Sequence, residues 1–377
     1  MRSSYKEEDV VLLLKDITGL VEPQPAYERE KLIQSGRHYC EMLPVEYVPT
    51  ERYMQVYQEA LRIYAEPTAW AAARLAEKIV QERGPDTVLV SLARAGIPVG
   101  ILLKRYLRQV HCLELPHYAI SIIRGKGIDR NAMRYLLKRY QPQQLLFVDG
   151  WIGKGAIFKE LQQAATAYPG VSPQIAVLAD PANVTQLCGT HEDILIPSSC
   201  LNCTVSGLIS RTFFRSDIIG EQDFHGAVFY GELAQSDLSE SFLEAVEQYF
   251  PDKTNMQEHR LRNICLQETA EREGMQDLSA HDAVEENAVP RTGMEEAARI
   301  AEAFEMQDIN LVKPGIGETT RVLLRRVPWK VLVDARWEND QALRHVMRLA
   351  QEKNVPVERY PLRHYKCCGL IQRAADL

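Results

Sequence analysis

Between Thr87 and Ala179 short, wholly apolar runs alternate with stretches whose apolar residues recur at helical spacing. That alternation predicts strands and helices in turn. Residues 88–92, 118–123, 145–149 and 175–179 read as strands buried on both faces. One helix, running through Val110, starts where Pro98 suits a first turn, and another begins at Ala156. The fold class predicted is α/β: a doubly wound parallel sheet with a second, smaller α/β domain, ligands lying at the carboxyl ends of the strands. Residues 1–84 read as mostly helical, with a long pattern over 50–82 broken at Pro67. Residues 251–292 are polar and acidic, and helical spacing returns over 293–306. A second α/β unit follows, with helices around 322–324 and over 340–353 and strands at 330–334 and 355–360. The chain thus divides into 1–250, a connector over 251–304, and 305–377.

Composition narrows the class without naming a function. With 46% hydrophobic and 25% charged residues over 377 positions, the chain is globular and too long for one core. No apolar run reaches membrane-spanning length and the first residues are charged, which predicts a cytoplasmic protein without a membrane partner. Eight cysteines are too dilute for a disulfide scaffold. Cys200 and Cys203 form a single CxxC without the second pair of a structural zinc site. The net charge of -7 conceals a +4 balance after residue 304, so the C-terminal unit is the candidate for a polyanionic partner.

Three loops at strand ends carry candidate chemistry. Asp149 ends a buried strand, and Gly150-Trp151-Ile152-Gly153-Lys154-Gly155 then leads into a helix at Ala156. Backbone N–H groups, a helix N-terminus and the Lys154 charge suit a phosphate there, with Asp149 set for a hydroxyl or a metal-bound water. Gly155 follows the lysine where a Walker loop needs Ser or Thr. A second loop offers Arg94 among Ala93, Ala95 and Gly96, a planar fork suited to a diphosphate. The third carries Arg124, Lys126 and Arg130 on a glycine-hinged segment.

This order of loops resembles the type I phosphoribosyltransferases. More narrowly, Ser91 to Gly96, His117 to Arg124, Phe147 to Ala156, Ile196 to Ser199 and Thr204 to Thr212 are similar to a bacterial phosphoribosyltransferase-like family. Its members are often labelled cysteine protease StiP and associated with tellurite-resistance and stress operons. The resemblance covers about residues 4–250. Lys313 to Thr320 and the α/β order make residues 306–375 resemble the Pelota-type RNA-binding domain.

These resemblances imply transfer from phosphoribosyl diphosphate to a base or nucleoside-like acceptor, with Mg2+ as cofactor, RNA as a further partner and a homodimeric assembly. Asp149 would hold ribose and the metal. Lys154 with Gly150, Gly153, Gly155 and Ala156 would hold the 5′-phosphate. Arg94 with Ala93, Ala95 and Gly96 would take the diphosphate, and Arg124 and Lys126 the leaving group as their loop closes. Asn202, Ser206, Ser210 and Arg211 would face the acceptor. Lys313, Gly315, Gly317, Thr319 and Arg321 would meet RNA. The chain departs from the type I pattern in having Asp149-Gly150 for two adjacent acids and Gly153-Lys154 for Thr-Thr.

Two other classes of function compete with transfer. One is a nucleotide-sensing, RNA-binding regulator without turnover. The other is a cysteine protease, which needs a thiol within reach of a histidine and an orienting group. Its candidate pairs are Cys40 with His38 or His117, and Cys200 or Cys203 with His225.

Overall fold

The computed structural model describes residues 1–46, 49–256 and 292–371; of the connector expected over 251–304, residues 257–291 lie outside the described residues, while Gly293–Ala303 is a helix packed in the core of the second unit. A six-stranded, all-parallel sheet organises the first unit. From edge to edge it runs Val11–Leu12, His117–Ile120, Val88–Leu92, Leu145–Trp151, Ile175–Ala179 and Cys188–Thr190. Alternate residues divide between its faces. Leu89, Leu146, Val148, Ala176 and Leu178 share one core with the helices Glu51–Arg83, Gly96–His111 and Ser239–Glu247. Val88, Val90, Phe147, Ile175 and Val177 share another with Arg130–Leu137 and Ala156–Ala165. Burial on both faces is why these strands read as unbroken apolar runs.

The helix expected to break at Pro67 instead continues from Glu51 to Arg83. Proline in a helix interior costs roughly 3 kcal/mol. Here Ala65, Ala69, Ala72 and Ala73, all fully buried, offset it through close packing, and Thr68 Oγ1 donates to Tyr64 O at 2.6 Å beside the interruption. The first 24 residues, expected to be helical, contribute two short strands, Val11–Leu12 and Lys15–Asp16. Each pairs in parallel with a partner from elsewhere in the chain, which local spacing does not reveal.

The second unit is a four-stranded mixed sheet in the order Val312–Pro314, Cys367–Ile371, Pro328–Val333, Val357–Arg359. The helices Ile316–Arg325 and Arg344–Glu352 cover one face and Gly293–Ala303 the other. Its central strand, Cys-Cys-Gly-Leu-Ile, is buried throughout, and the two thiols act as small apolar groups.

The two units share one apolar cluster: Ile316, Leu323, Val346 and Leu349 belong with Ala65, Leu75 and Leu178. A buried carboxylate ties them further. Asp193, after the last strand of the large sheet, accepts from Ile316 N at 3.0 Å and Lys366 N at 2.9 Å. It thereby caps the Ile316–Arg325 helix from the other unit, where the N-terminal amides lack partners within the helix. Trp151 lies against Gly317, whose missing side chain makes room: a Cβ there would come within 2.3 Å of the indole.

Gly96, read from the sequence as part of a diphosphate loop, has a packing reason of its own. A Cβ at this position would fall 2.3 Å from Val148 O, where the Gly96–His111 helix crosses the neighbouring strand. Gly96→Ala is therefore expected to lower stability in urea by roughly 1–3 kcal/mol, the cost of overpacking. An unchanged midpoint would show that helix and strand separate freely.

Candidate functional site

The carboxyl ends of the large sheet open into a cavity of about 850 Å³ that the second unit closes. Its lining draws from both units. Arg29, Arg124, Lys154 and Arg211 come from the first, and Lys313, Arg321 and Arg326 from the second. Against these stand Asp149, Asp308 and Glu318, leaving a formal excess of four positive charges.

Pairing consumes part of that charge. Arg326 forms a two-pronged ion pair with Glu30, at 2.6 and 2.8 Å. Arg321 pairs with Glu318 at 2.9 Å and lies over the Trp151 ring, 4.3 Å from its centroid. The other five have no ion pair among the described residues. Arg124 donates to Asn310 Oδ1 at 2.7 Å, and Arg211 turns to the carbonyls of Tyr39 and Met42. Lys154 Nζ donates to Val312 O at 3.0 Å and to Ile309 O. Burial, with Lys313 as a second cause, pushes Lys154 down to about 7, and burial pushes Lys313 down to about 8. Arg29 and Arg211 are also held below the usual range by burial first and by neighbouring arginines second. Crowded, desolvated cations of this kind favour an anion.

The structure brings together some of the sequence-predicted residues and separates others. Asp149, Lys154, Arg124, Gly153, Gly155, Ala156, Arg211, Lys313 and Arg321 all line the cavity. The phosphate loop and the basic segment expected to meet RNA thus face each other. Tyr365 donates to Gly153 O at 2.6 Å, and Glu318 crowds the same glycine. Gly150 is buried against Ala95 O. Arg94 lies outside, buried and donating to Ile209 O at 2.7 Å with Glu46 at 3.5 Å, and Ala93, Ala95 and Gly96 stay with it. Lys126 is exposed. Asn202 accepts from Arg325 of the second unit, Ser206 donates to Asn202 O at 2.8 Å, and Ser210 donates to Arg211 O at 2.7 Å, and none of the three lines the cavity. Thr319 is buried, donating to Lys313 O at 3.4 Å, and Gly315 adopts φ 91° at the head of its helix. Arg326, expected from the sequence among the basic residues that meet phosphate, also lines the cavity, whereas Arg29 was missed and Trp151 was read only as part of its loop. The cue available was Gly317, a glycine where an aromatic ring approaches closely.

Among the described residues no group of three or more His, Cys, Asp and Glu gathers as it would to hold a metal ion. Asp149 accepts from Gly150 N at 2.7 Å and has Arg321 and Glu318 as charged neighbours. This donor set, embedded in cations, fits an anion and not a resident divalent ion.

One thiol is well placed for chemistry. His38 Nδ1 lies 2.9 Å from Cys40 Sγ, and His38 Nε2 lies 3.0 Å from Arg124 O. A carbonyl only accepts, so Nε2 carries the proton, and the Nδ1 lone pair is shared between the sulfur and the Cys40 backbone N–H, which donates to it at 3.3 Å. Tyr39, between the two, lines the cavity. Burial pushes the thiol up to about 11 and the imidazole below its usual value, so both are neutral at rest. The other expected pairs do not form. His117 is spent on Ser91 Oγ at 2.7 Å and Asp9 O at 2.8 Å, and His225 Nδ1 on Ser121 Oγ at 2.8 Å. Cys188, not singled out from the sequence, sits 3.4 and 3.8 Å from the two nitrogens of His191, off the lone-pair axis of either.

Fold and site define a two-unit α/β protein in which a small mixed-sheet domain closes a cationic cavity over the strand ends of a parallel-sheet domain. Residues 3–247 match the family described as tellurite-like stress resistance cysteine protease StiP, and residues 291–373 match the PELOTA RNA binding domain. A protein of Acinetobacter baylyi named Cysteine protease StiP is 34% identical across 98% of this chain and 94% of its own length. The chain belongs to the StiP family. A solved hypoxanthine-guanine-xanthine phosphoribosyltransferase covers 48% of this chain and 93% of its own, with 13% identity and a TM-score of 0.21, too low to carry an argument.

These findings overturn the expectation of phosphoribosyl transfer. The relative matching along the whole chain is named a cysteine protease, as is the family matching residues 3–247. The geometry agrees with the correction: Lys154 is turned to carbonyls of the second unit, and Arg94 is tied down outside the cavity. Among the described residues no helix is long and apolar enough to cross a membrane.

Burial pushes Asp149 up to about 6, although Arg321 and the Gly150 N–H pull it down. A carboxyl whose folded value lies above the unfolded one, about 3.9, loses its contribution to stability as pH rises through the folded value. Asp149→Asn should match the parent below pH 4 and become more stable by pH 7, by roughly 1–2 kcal/mol. Thermal melts across that range check this, and a difference independent of pH would contradict it.

Proposed function

We propose that this protein is a cysteine protease with Cys40 as nucleophile and His38 as general base. The observation that carries the reading is the 2.9 Å approach of His38 Nδ1 to Cys40 Sγ, with the tautomer set by Arg124 O. The name of the Acinetobacter relative supports it. His38 Nδ1 takes the thiol proton as sulfur attacks the peptide carbonyl carbon. The imidazolium then gives that proton to the departing amine, leaving a thioester. A water molecule, deprotonated by the same nitrogen, releases the acid and restores the thiol. Arg211 and Lys126 lower the cost of thiolate, opposing burial. Phe214 closes over the sulfur, its carbonyl 3.4 Å from Sγ and its N–H bonded to Cys40 O at 3.0 Å. Substrate entry requires this segment to move.

The scaffold we assign to this chemistry is the doubly wound, type I phosphoribosyltransferase-like sheet, supported by parallel strands with helices on both faces. The domain division is 1–250, a connector, and a second domain that starts at Thr292, because Ala297 and Ile300 pack in its core. RNA is the partner proposed for that domain, supported by the match at 291–373. Lys313 and Arg321 face inward, so RNA meets them only when the domains part.

A cysteine-directed probe followed by peptide mass mapping tests the assignment. Besides Cys112, the exposed thiol that any such reagent reaches, Cys40 should be labelled, Cys40→Ala should abolish hydrolysis of an unfolded protein substrate, and Cys188→Ala should leave it intact. Hydrolysis that survives Cys40→Ala would exclude the pair.

A further inference from the structure

We propose that the cavity between the two domains is a binding site for a nucleotide carrying two or more phosphates, held by cations that both domains supply. Neither Cys40 nor His38 lines this cavity, although their neighbours Tyr39, Arg124 and Arg211 do, and the proposal does not depend on the protease reading.

The charge requires an occupant of opposite sign. Five of the seven basic side chains around the cavity have no ion pair among the described residues, and with Glu30 counted against Arg326 the formal excess is three. Each phosphate group brings about one to two negative charges at neutral pH, so a diphosphate or triphosphate chain balances that excess where a single carboxylate does not. Arg29 is 1% exposed, lines the cavity, and its Nε has no hydrogen-bond partner among the described residues. Arg211 Nε is equally without one. Both Nε atoms are enclosed, so the desolvated guanidinium charge, and not an open Nε donor, is what these arginines bring to a phosphate.

Size argues for more than phosphate. About 850 Å³ lies within the range of sites that enclose a small organic ligand, and a bare diphosphate would leave most of it unfilled. Tyr39, Trp151 and Phe158 add aromatic surface. Trp151 Nε1 itself is enclosed against Gly317, so the indole offers ring surface to the space and not this N–H. The second domain forms one wall of the space and bounds its extent, which suits a mononucleotide better than a continuous strand.

Occupancy has a mechanical consequence. With cations on both walls, an anion between them joins the domains, and its release leaves their repulsion uncompensated.

The test uses the full chain. Its melting temperature and Trp fluorescence are followed with ATP, ADP, adenosine, inorganic tripolyphosphate and a ten-nucleotide RNA lacking terminal phosphates. ATP and ADP should raise the melting temperature in proportion to the logarithm of concentration, and adenosine should not. Tripolyphosphate should bind at least tenfold more weakly than ATP. Arg29→Met and Lys313→Met should each weaken ATP binding at least tenfold, two variants guarding against one that fails to fold. Absence of a shift with ATP or ADP, equal affinity in a folded variant, or tripolyphosphate binding as tightly as ATP would overturn the proposal. RNA binding more tightly than ATP and displacing it would overturn it in favour of a strand.

Discussion

The Asp193 carboxylate fixes where the second domain sits, and most of the site follows from that position. Each of its oxygens accepts a backbone N–H from the opposite domain, Ile316 N and Lys366 N. Buried carboxylates are costly unless bonded in this way, and a bonded one specifies geometry as an apolar contact does not. The shared apolar cluster through Ile316, Leu323 and Val346 supplies area, while Asp193 supplies register.

That register turns two basic surfaces toward each other. The loop after the Leu145–Trp151 strand would, alone, present Lys154 to solvent at the strand ends. With the second domain docked, its ammonium meets carbonyls of the Ile309–Pro314 segment and its charged neighbours there become Lys313 and Glu318. Neither half makes the cavity by itself. The Cys40–His38 pair depends on the same wall, since Arg124 sets the histidine tautomer through its carbonyl and reaches Asn310 of the second domain through its guanidinium.

The sequence made the strands of the large sheet legible because each is buried on both faces, and the 175–179 run matches its observed bounds. The cavity residues Asp149, Lys154 and Arg124 were legible because a parallel sheet concentrates ligand groups at strand ends. What was not legible is non-local. Arg94 carries the same charge as Arg124, and only the fold shows it buried against Ile209 O. Pro67 signalled a break because propensity ignores the alanine-rich packing that overrides it. The Lys313 to Arg321 segment looked like an outward-facing surface, since a charge count has no direction. The pairing of Cys40 with His38 was among the options, but choosing it required the Arg124 carbonyl, remote in sequence.

The docking can be read amide by amide. Ile316 N stands at the first position of its helix, where no carbonyl of that helix can accept it, and its acceptor is Asp193 in the other domain. Hydrogen exchange at Ile316 and Lys366, measured by NMR on the full chain and on Asp193→Ala, addresses this directly. The account predicts slow exchange at both amides in the parent and acceleration of at least tenfold in the variant, with the Leu145–Trp151 strand unchanged. Rapid exchange at Ile316 in the parent would contradict it, because the domains would then not be closed in solution.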